Sequence, residues 1–420
     1  MTLIGAITVT TVALPVIGRD MHLDESGLVL VSSGYGISFG GLLPAGGRLA
    51  DRLGRRRAFV TGTTVFGLAS AGVGLAPWAG LLVAARLAEG AGAALAAPAA
   101  VALLGAVFPD PGRHGRALAK WGVLSSAGAI AGTVVSGVAI TWMSWRWVVA
   151  APVVVAAIAV AVAPRVLPPG PARVKGKIDW LGAGLATAGL AALIYGLQRS
   201  GWVVAAGVAL LASFVLAERR HSAPLVPLPF LARRALPLAV VLSCAAAMAS
   251  AFFLLSLYLQ EVRGLSALRV SVVFLLSAPA AVTAGPLAGR LIRRFGVGPV
   301  LAAGLLMAAA GLLLLSFLSA PYAGLLVFPF GTGLAFSAGL VTAMQDAGAA
   351  QAGLAGALVN TAMETGPPLG LATATWAAVA YSPAPAAGYP FALRAAAILL
   401  LVLALFTMTA RHKGRPQEEQ

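Results

Sequence analysis

The chain has 420 residues, of which 60% are hydrophobic and only 10% charged, and its mean hydropathy is +0.93. A soluble domain needs more charge than this to solvate its surface, so the composition excludes one. The formal net charge of +16 would suit a nucleic-acid binder, but its distribution along the chain has another explanation, and no nucleic-acid partner is expected.

The apolar residues come in long runs separated by short polar punctuation. Crossing bilayer hydrocarbon as a helix takes about 20 apolar residues. Taken in chain order, the runs predict fourteen spans: 2–18, 27–47, 58–76, 79–107, 119–140, 148–163, 180–197, 202–217, 236–258, 268–289, 298–318, 323–344, 353–379 and 389–409. The expected fold class is therefore an all-α membrane protein. The first segment, Thr2 to Ile17, is short for a span, and no basic stretch precedes it to mark a cleavable signal peptide. The pair 180–197 and 202–217 also reads as one hairpin of two tilted helices. The 50 glycines and abundant alanines suit close helix packing. The single cysteine, Cys244, excludes an internal disulfide and argues against a thiolate metal site.

The charge pattern orients the spans. With the amino terminus inside, one set of loops collects Arg48, Arg52, Arg55, Arg56, Arg57, Arg113, Arg116, Lys120, Arg165, Arg173, Lys175, Lys177, Arg219, Arg220, Arg233, Arg234, Arg290, Arg293 and Arg294. The opposite loops hold mainly Arg19, Arg146, Arg199, Arg263 and Arg269. Basic residues concentrate in cytoplasmic loops. This bias accounts for most of the net charge and predicts both termini in the cytoplasm of a multi-pass protein in the cell (inner) membrane.

An internal repeat divides the chain. After the second span it reads Gly47-Arg48-Leu49-Ala50-Asp51-Arg52-Leu53-Gly54-Arg55-Arg56, and after the tenth Gly285-Pro286-Leu287-Ala288-Gly289-Arg290-Leu291-Ile292-Arg293-Arg294-Phe295-Gly296. Two copies of one loop after spans of the same direction suggest two parallel bundles. Between them lie a basic, proline-rich stretch, Pro164 to Lys177, and two extra spans. The expected organisation is a six-helix bundle over 1–163, a linker with two extra helices over 164–234, a second six-helix bundle over 235–410, and a tail over 411–420.

The segment from Gly47 to Arg56 resembles the signature loop of the major facilitator superfamily, Gly-x-Leu-Ala-Asp-Arg-x-Gly-Arg-Arg. Its residues have a physical reading of their own: Gly47 permits close packing, Gly54 a tight reversal, and Asp51 can pair with a nearby arginine or face a helix amino terminus. The resemblance implies a cytoplasmic gating loop that latches the two halves during alternating access. A plain positive-inside anchor is the alternative, though anchoring requires neither Asp51 nor the glycines. Gly285, Gly289, Arg290 and Arg293 form the corresponding loop of the second half.

Further stretches are similar to the fourteen-span drug:proton antiporter branch of that superfamily. These are Thr8 to Pro15 in the first span, Ser144-Trp145-Arg146-Trp147 before the sixth, Ile178-Asp179-Trp180-Leu181-Gly182 before the extra pair, Tyr258-Leu259-Gln260, and Asn360-Thr361 with Gly366. The fifth-span packing motif of the branch reads here Gly132-Thr133-Val134-Val135-Ser136-Gly137, with Thr133 for its proline and Ser136 for a glycine. Gly128 and Gly132 still give a face of small residues, closed by Gly137. Where the branch carries an acid in the first span, this chain has Ala6. The resemblance implies export of small hydrophobic or cationic organic molecules, drugs or metabolites, in exchange for protons. It implies the proton gradient as energy source, no cofactor, and action as a monomer in the lipid bilayer; uncoupled transport and symport are the alternatives.

Ionisable residues at membrane depth are costly and mark function. Three remain once loops are removed: Arg86 and Glu89 in the fourth span and Glu364 in the thirteenth. Arg86 and Glu89 stand one turn apart on one face and can pair. Their segment, Arg86-Leu87-Ala88-Glu89-Gly90, resembles the family's Arg-x-x-Gln-Gly, linked there to proton transfer; a purely structural ion pair is the alternative. Glu364 has no basic neighbour in sequence, and it stands where the family usually shows an uncharged Gln. An unpaired carboxyl could carry a proton or attract a cationic substrate; the alternative is a residue solvated at the membrane edge. Pro367-Pro368 is expected to break the helix beside it. Trp121, Trp142, Trp145, Trp147, Trp180 and Trp202 lie near span ends, as in an interfacial aromatic belt.

A membrane enzyme would need a nucleophile or metal cluster at depth. The histidines, His22, His114, His221 and His412, all fall in loops or the tail, and no zinc-protease, nucleophile-elbow or phosphate-loop pattern occurs. Neither catalytic residues nor a metal site are expected.

Overall fold

Backbone amides and carbonyls in hydrocarbon must bond within the chain, and runs of Ala, Leu and Val do so as helices. The structure, a computed structural model, describes residues 13–108, 142–168, 179–220, 224–318, 321–345, 352–382 and 384–412. Among the described residues the regular elements are all helical. They are α1 (13–20), α2 (Glu25–Leu53), α3 (Arg55–Leu75), α4 (Ala79–Val107), α5 (Trp145–Ala150), α6 (Pro152–Val166), α7 (Trp180–Arg199), α8 (Gly201–Arg220), α9 (Leu228–Arg233), α10 (Ala235–Leu257), α11 (Ala267–Leu275), α12 (Ala278–Phe295), α13 (Val297–Leu315), α14 (Tyr322–Met344), α15 (Ala352–Tyr381) and α16 (Pro385–His412). A π-helical turn, Tyr258–Val262, prolongs α10. Among the described residues, ten helical stretches are long and apolar enough to cross a membrane, or eleven when the bent pair α11 and α12 counts as one span. The protein is thus a multi-pass membrane protein. The predicted span 119–140, with Gly128, Gly132 and Gly137, and most of the span 2–18, with Ala6, lie outside the described residues.

Local chemistry sets several helix starts. The Asp24 carboxylate accepts from Gly27 N at 2.8 Å and caps α2, Ser144 caps α5, and Asp179 accepts from Gly182 N at 2.7 Å to cap α7. The two repeated polar segments differ from expectation. Each was predicted as a loop, yet helix runs through all but one residue of it: α2 ends at Leu53 and α3 begins at Arg55, while α12 ends at Phe295 and α13 begins at Val297. The single break residues, Gly54 and Gly296, have φ of 87° and 82°. Only glycine takes that conformation without a Cβ clash, so one residue suffices to reverse the chain.

The chain forms two compact units, one of Met1–Leu231 with Leu265–Ser271, the other of Ala232–Gly264 with Val272–Gln420. In the first, α2 packs on α4 and α7, α3 packs on α4, α5 and α6, and α7 packs on α8. Its core gathers Tyr35, Phe39, Leu43, Phe66, Ala93, Ala94 and Ala156. The predicted hairpin is present: α7 and α8 turn back on each other at Ser200, and Thr187 of α7 lies against Gly41 of α2. In the second unit, α13 packs on α14 and α16, α10 on α14 and α15, α12 on α14, and α15 on α16.

Candidate functional site

Two constellations hold the acids predicted at membrane depth. In the first unit Arg86 and Glu89 project from α4 and are 3% and 1% exposed. Arg86 Nη1 lies 2.7 Å from Glu89 Oε2. Arg86 Nε donates to the Val31 carbonyl of α2 at 3.2 Å, and the guanidinium stands 5.4 Å from the Tyr35 ring centroid. Ser70 of α3 donates to Glu89 Oε1 at 2.5 Å. The pair therefore ties three helices together, and each charge is met by a partner, which is what allows charges to be buried at all. Sequence spacing gave the pair. It did not give Ser70, Tyr35 or the Val31 carbonyl, which are brought in by packing between helices far apart in the chain.

Glu364 lies inside α15 of the second unit and is 8% exposed, so its side chain is packed within the helices rather than open to solvent. Among the described residues no hydrogen bond or ion pair engages its carboxylate. One turn earlier on the same helix, the Thr361 hydroxyl is buried without a hydrogen-bond partner, while Thr365 donates to the Thr361 carbonyl at 2.8 Å. The expectation that Pro367-Pro368 breaks the helix is corrected: α15 runs unbroken from Ala352 to Tyr381. The prolines still deny helical donors to the carbonyls four residues back, those of Met363 and Glu364. Helix α10 splints this stretch, because a Cβ on Gly366 would stand 2.9 Å from Ala245 Cβ and 3.1 Å from Ala246 N. Backbones this close hold the proline-containing turn in register.

In the segment Gly47–Arg56 the structure assigns structural contacts to three arginines. Arg48 donates to the Pro224 carbonyl. Arg55 donates to the Ala102 carbonyl of α4 at 3.3 Å, and Arg56 to the Leu167 carbonyl just beyond α6 at 3.4 Å. Asp51 and Arg52 are exposed, and among the described residues no ion pair joins Asp51 to a local arginine. Gly47 is not the close-packing position expected: a Cβ there would meet only Pro98 Cβ, at 3.9 Å, whereas Gly46 lies against the Ala94 carbonyl. In the second copy Gly285, Arg290 and Arg293 are exposed and Gly289 half-buried. A Cβ on Gly285 would meet nothing within 4 Å.

One tryptophan departs from the belt. Trp145 is 3% exposed, and its Nε1 donates to Asp20 Oδ2 at 2.9 Å. Arg146 reaches the same carboxylate at 3.3 Å and donates to the Ala76 carbonyl at 2.7 Å. Trp142, Trp147, Trp180 and Trp202 are exposed, as a belt requires; Trp121 lies outside the described residues.

A multi-pass chain, helical throughout its described residues, in two units that each carry a helix–glycine–helix turn rich in arginine and a buried acid, has the build of a membrane transporter. The model of the Major Facilitator Superfamily matches residues 1–371, and the chain belongs to that family; it is a transporter and not an enzyme. It is 34% identical over 389 residues to a puromycin resistance protein of Streptomyces alboniger, covering 87% of this chain and 77% of the relative. With a cephamycin export protein of Amycolatopsis lactamdurans it shares 34% identity over 434 residues, 95% of this chain and 88% of the relative. The crystal structure of the human organic anion transporter MFSD10 has the same fold, with a TM-score of 0.67 at 16% identity over 97% of both chains.

Proposed function

We propose that the protein exports small hydrophobic or cationic organic molecules by alternating access, in exchange for protons. The observation that carries this reading is Glu364, a buried carboxyl with no partner among the described residues, set one turn from the unpartnered Thr361 hydroxyl. An ionisable group buried without a partner is costly, and such groups in membrane proteins mark ligand or proton sites. The relatives add a substrate class: one confers resistance to puromycin and another exports cephamycin, so antibiotic-like natural products are the first compounds to try. In this reading Glu364 carries the proton or meets a cationic substrate, and Arg86 with Glu89 couples helix movement to it. Gly47–Arg56 and Gly285–Gly296 act as gating segments. The proposal includes fourteen spans in a six, two and six arrangement, both termini in the cytoplasm, and a monomer in the inner membrane.

The test uses proteoliposomes with an imposed pH gradient and a trapped pH dye, scanned against lipophilic cations and neutral natural products. Compound-dependent proton movement establishes antiport. Substrate flux that ignores the gradient would mean that the substitutions at Ala6, Thr133 and Ser136 go with an uncoupled carrier. Glu364→Gln is expected to abolish pH-driven transport and to leave exchange at equal substrate concentrations intact. Loss of both activities, or of neither, would remove Glu364 from the proton path.

A further inference from the structure

The last apolar run holds a further charge, Arg394 of α16, within the stretch Ala387–Thr409 that is apolar enough to cross a membrane. Arg394 is exposed, so its guanidinium is not enclosed by the chain as that of Arg86 is. A helical rise of about 1.5 Å per residue puts its Cα roughly 10 Å inside that stretch. An arginine on an outer face at that depth is costly unless its head reaches the polar boundary.

The geometry takes the head there. A helical side chain leans toward the amino terminus of its helix, here toward Pro385. Arg394 Nε donates to Ser316 Oγ at 3.3 Å, and Ser316 directly follows α13. The Ser316 hydroxyl donates in turn to the Leu313 carbonyl at 2.7 Å, which leaves its lone pairs to accept from Nε. The guanidinium is thereby held at the level where the apolar stretch of α13, Val297–Leu315, ends. Exposed aromatic rings mark the same end of the unit. Phe317 lies just beyond α13 and Tyr322 starts α14, while Tyr381, which ends α15, stacks on Phe391 of α16 with centroids 4.2 Å apart. Such rings gather at the membrane–water interface.

The bond from Nε leaves both Nη groups for another acceptor, and among the described residues no hydrogen bond or ion pair takes them. The acids of the second unit are Glu261, Asp346, Glu364, Glu418 and Glu419. Glu261, in the π-helical turn, makes no ion pair with Arg394, and Glu364 is buried. Asp346 comes after the last residue of α14, the helix whose start adjoins Ser316, and Glu418 and Glu419 come after the last residue of α16. Each is thus separated from Arg394 by most of a span. Ser319 and Ala320, outside the described residues, carry no charge. The described residues leave this cation without a counter-charge at the interface, where lipid headgroups offer phosphate. The planar fork of a guanidinium matches two phosphate oxygens.

We propose that Arg394, oriented by Ser316, binds the phosphate of an anionic phospholipid in the leaflet opposite the Gly296 turn. Phe391 stands one turn from Arg394 on the same face, so the Tyr381–Phe391 stack packs beside the lipid's glycerol and upper acyl carbons. The bound lipid fixes the Arg394–Ser316 tie between α13 and α16, which pack on each other. The inference concerns the bilayer partner of the second unit and stands apart from the proton-exchange reading.

Native mass spectrometry of the purified full-length protein, released from detergent micelles, counts bound lipid as phosphatidylglycerol is titrated. One molecule should be retained at lower concentration than the rest. Arg394→Gln should weaken that binding about tenfold, the loss of a charge-assisted bidentate contact. Arg394→Lys keeps the charge without the fork, and Ser316→Ala keeps the guanidinium without its tie; each should weaken binding by a smaller factor. Arg263→Gln, at an exposed arginine just past the π-helical turn, should leave it unchanged. Diacylglycerol with the same chains and inorganic phosphate should both fail to displace the lipid. Binding to Arg394→Gln at wild-type strength overturns the proposal. Where that variant fails to fold, undiminished binding in both Arg394→Lys and Ser316→Ala overturns it. Displacement by inorganic phosphate, which would mean a soluble-anion site, overturns the lipid assignment, as does equal retention of phosphatidylglycerol and phosphatidylcholine.

Discussion

The Arg86–Glu89 pair offers the sharpest test of how the first unit is built. Arg86→Met removes the ion pair, the bond to the Val31 carbonyl and the contact with Tyr35, and leaves Glu89 buried with only the Ser70 hydroxyl. Removing one partner of a buried pair costs about 3–5 kcal/mol, because the other charge is left uncompensated. Glu89→Leu is expected to cost a similar amount, since it strands the guanidinium and also leaves Ser70 without its acceptor. The double variant, Arg86→Met with Glu89→Leu, strands no charge. It should cost well under the sum of the singles, with a coupling of about 1–3 kcal/mol in its favour.

Equilibrium unfolding in mixed micelles with increasing dodecyl sulfate measures all four states of the cycle. Additive losses, or single substitutions that cost less than about 1 kcal/mol, the range of an exposed pair, would refute the reasoning that burial and mutual satisfaction hold these charges. The same samples separate structure from coupling. If the double variant regains stability and transports downhill but no longer responds to a pH gradient, the pair belongs to the proposed coupling machinery. If it transports with full pH response, the pair is a structural tie among α2, α3 and α4.

Gly54→Val should destabilise by about 1–2 kcal/mol, the cost of a side chain in the left-handed region, and Gly296→Val by a similar amount; the unfolding midpoint of each purified variant checks this. Trp145→Phe should lose about 1–3 kcal/mol, because the buried ring gives up its bond to Asp20 and leaves that carboxylate to Arg146 alone. Trp147→Phe, an exposed neighbour, serves as the control and should change stability little. Asp51→Asn should slow transport turnover with little change in substrate affinity if the segment gates; unchanged turnover in proteoliposomes would reduce it to an anchor.

Helix positions were legible in the sequence because an apolar run of sufficient length has few other solutions in a membrane. The twelve predicted spans that the described residues cover all fall on helices, with 268–289 divided between α11 and α12; of the twelve, 353–379 is not among the stretches apolar enough to cross a membrane. What failed were readings that treated local residues without their neighbours. Polar character suggested loops at 48–57 and 290–297, yet charged side chains can extend from a helix that continues past the apolar run, and only Gly54 and Gly296 interrupt it. Prolines suggested a break at 367–368, yet α10 holds the turn closed against Gly366. Trp145 looked like a belt residue because its partner, Asp20, is 125 positions away. Asp179 and Glu218 stand at span ends, where a sequence suggests solvation, yet each is 3% exposed once α7 and α8 pack together.

The buried acids differ in a way that bears on which of them can do work. Glu89 is enclosed by Arg86 and Ser70, so neutralising it strands a guanidinium and releases the tie to α3. Such a group resists change, and changing it would be felt across three helices. Neutralising Glu364 strands nothing, since no described residue depends on its charge, and its helix is held by backbone contact with α10 rather than by the carboxylate. A group that gains or loses a proton once per cycle must do so without dismantling its surroundings. On that ground Glu364 suits the moving charge in the proposed exchange, and Arg86 with Glu89 suits the element that transmits it. Substituting Glu364 should accordingly leave the unfolding midpoint nearly unchanged while it alters coupling, the reverse of what is expected when one partner of the Arg86–Glu89 pair is removed.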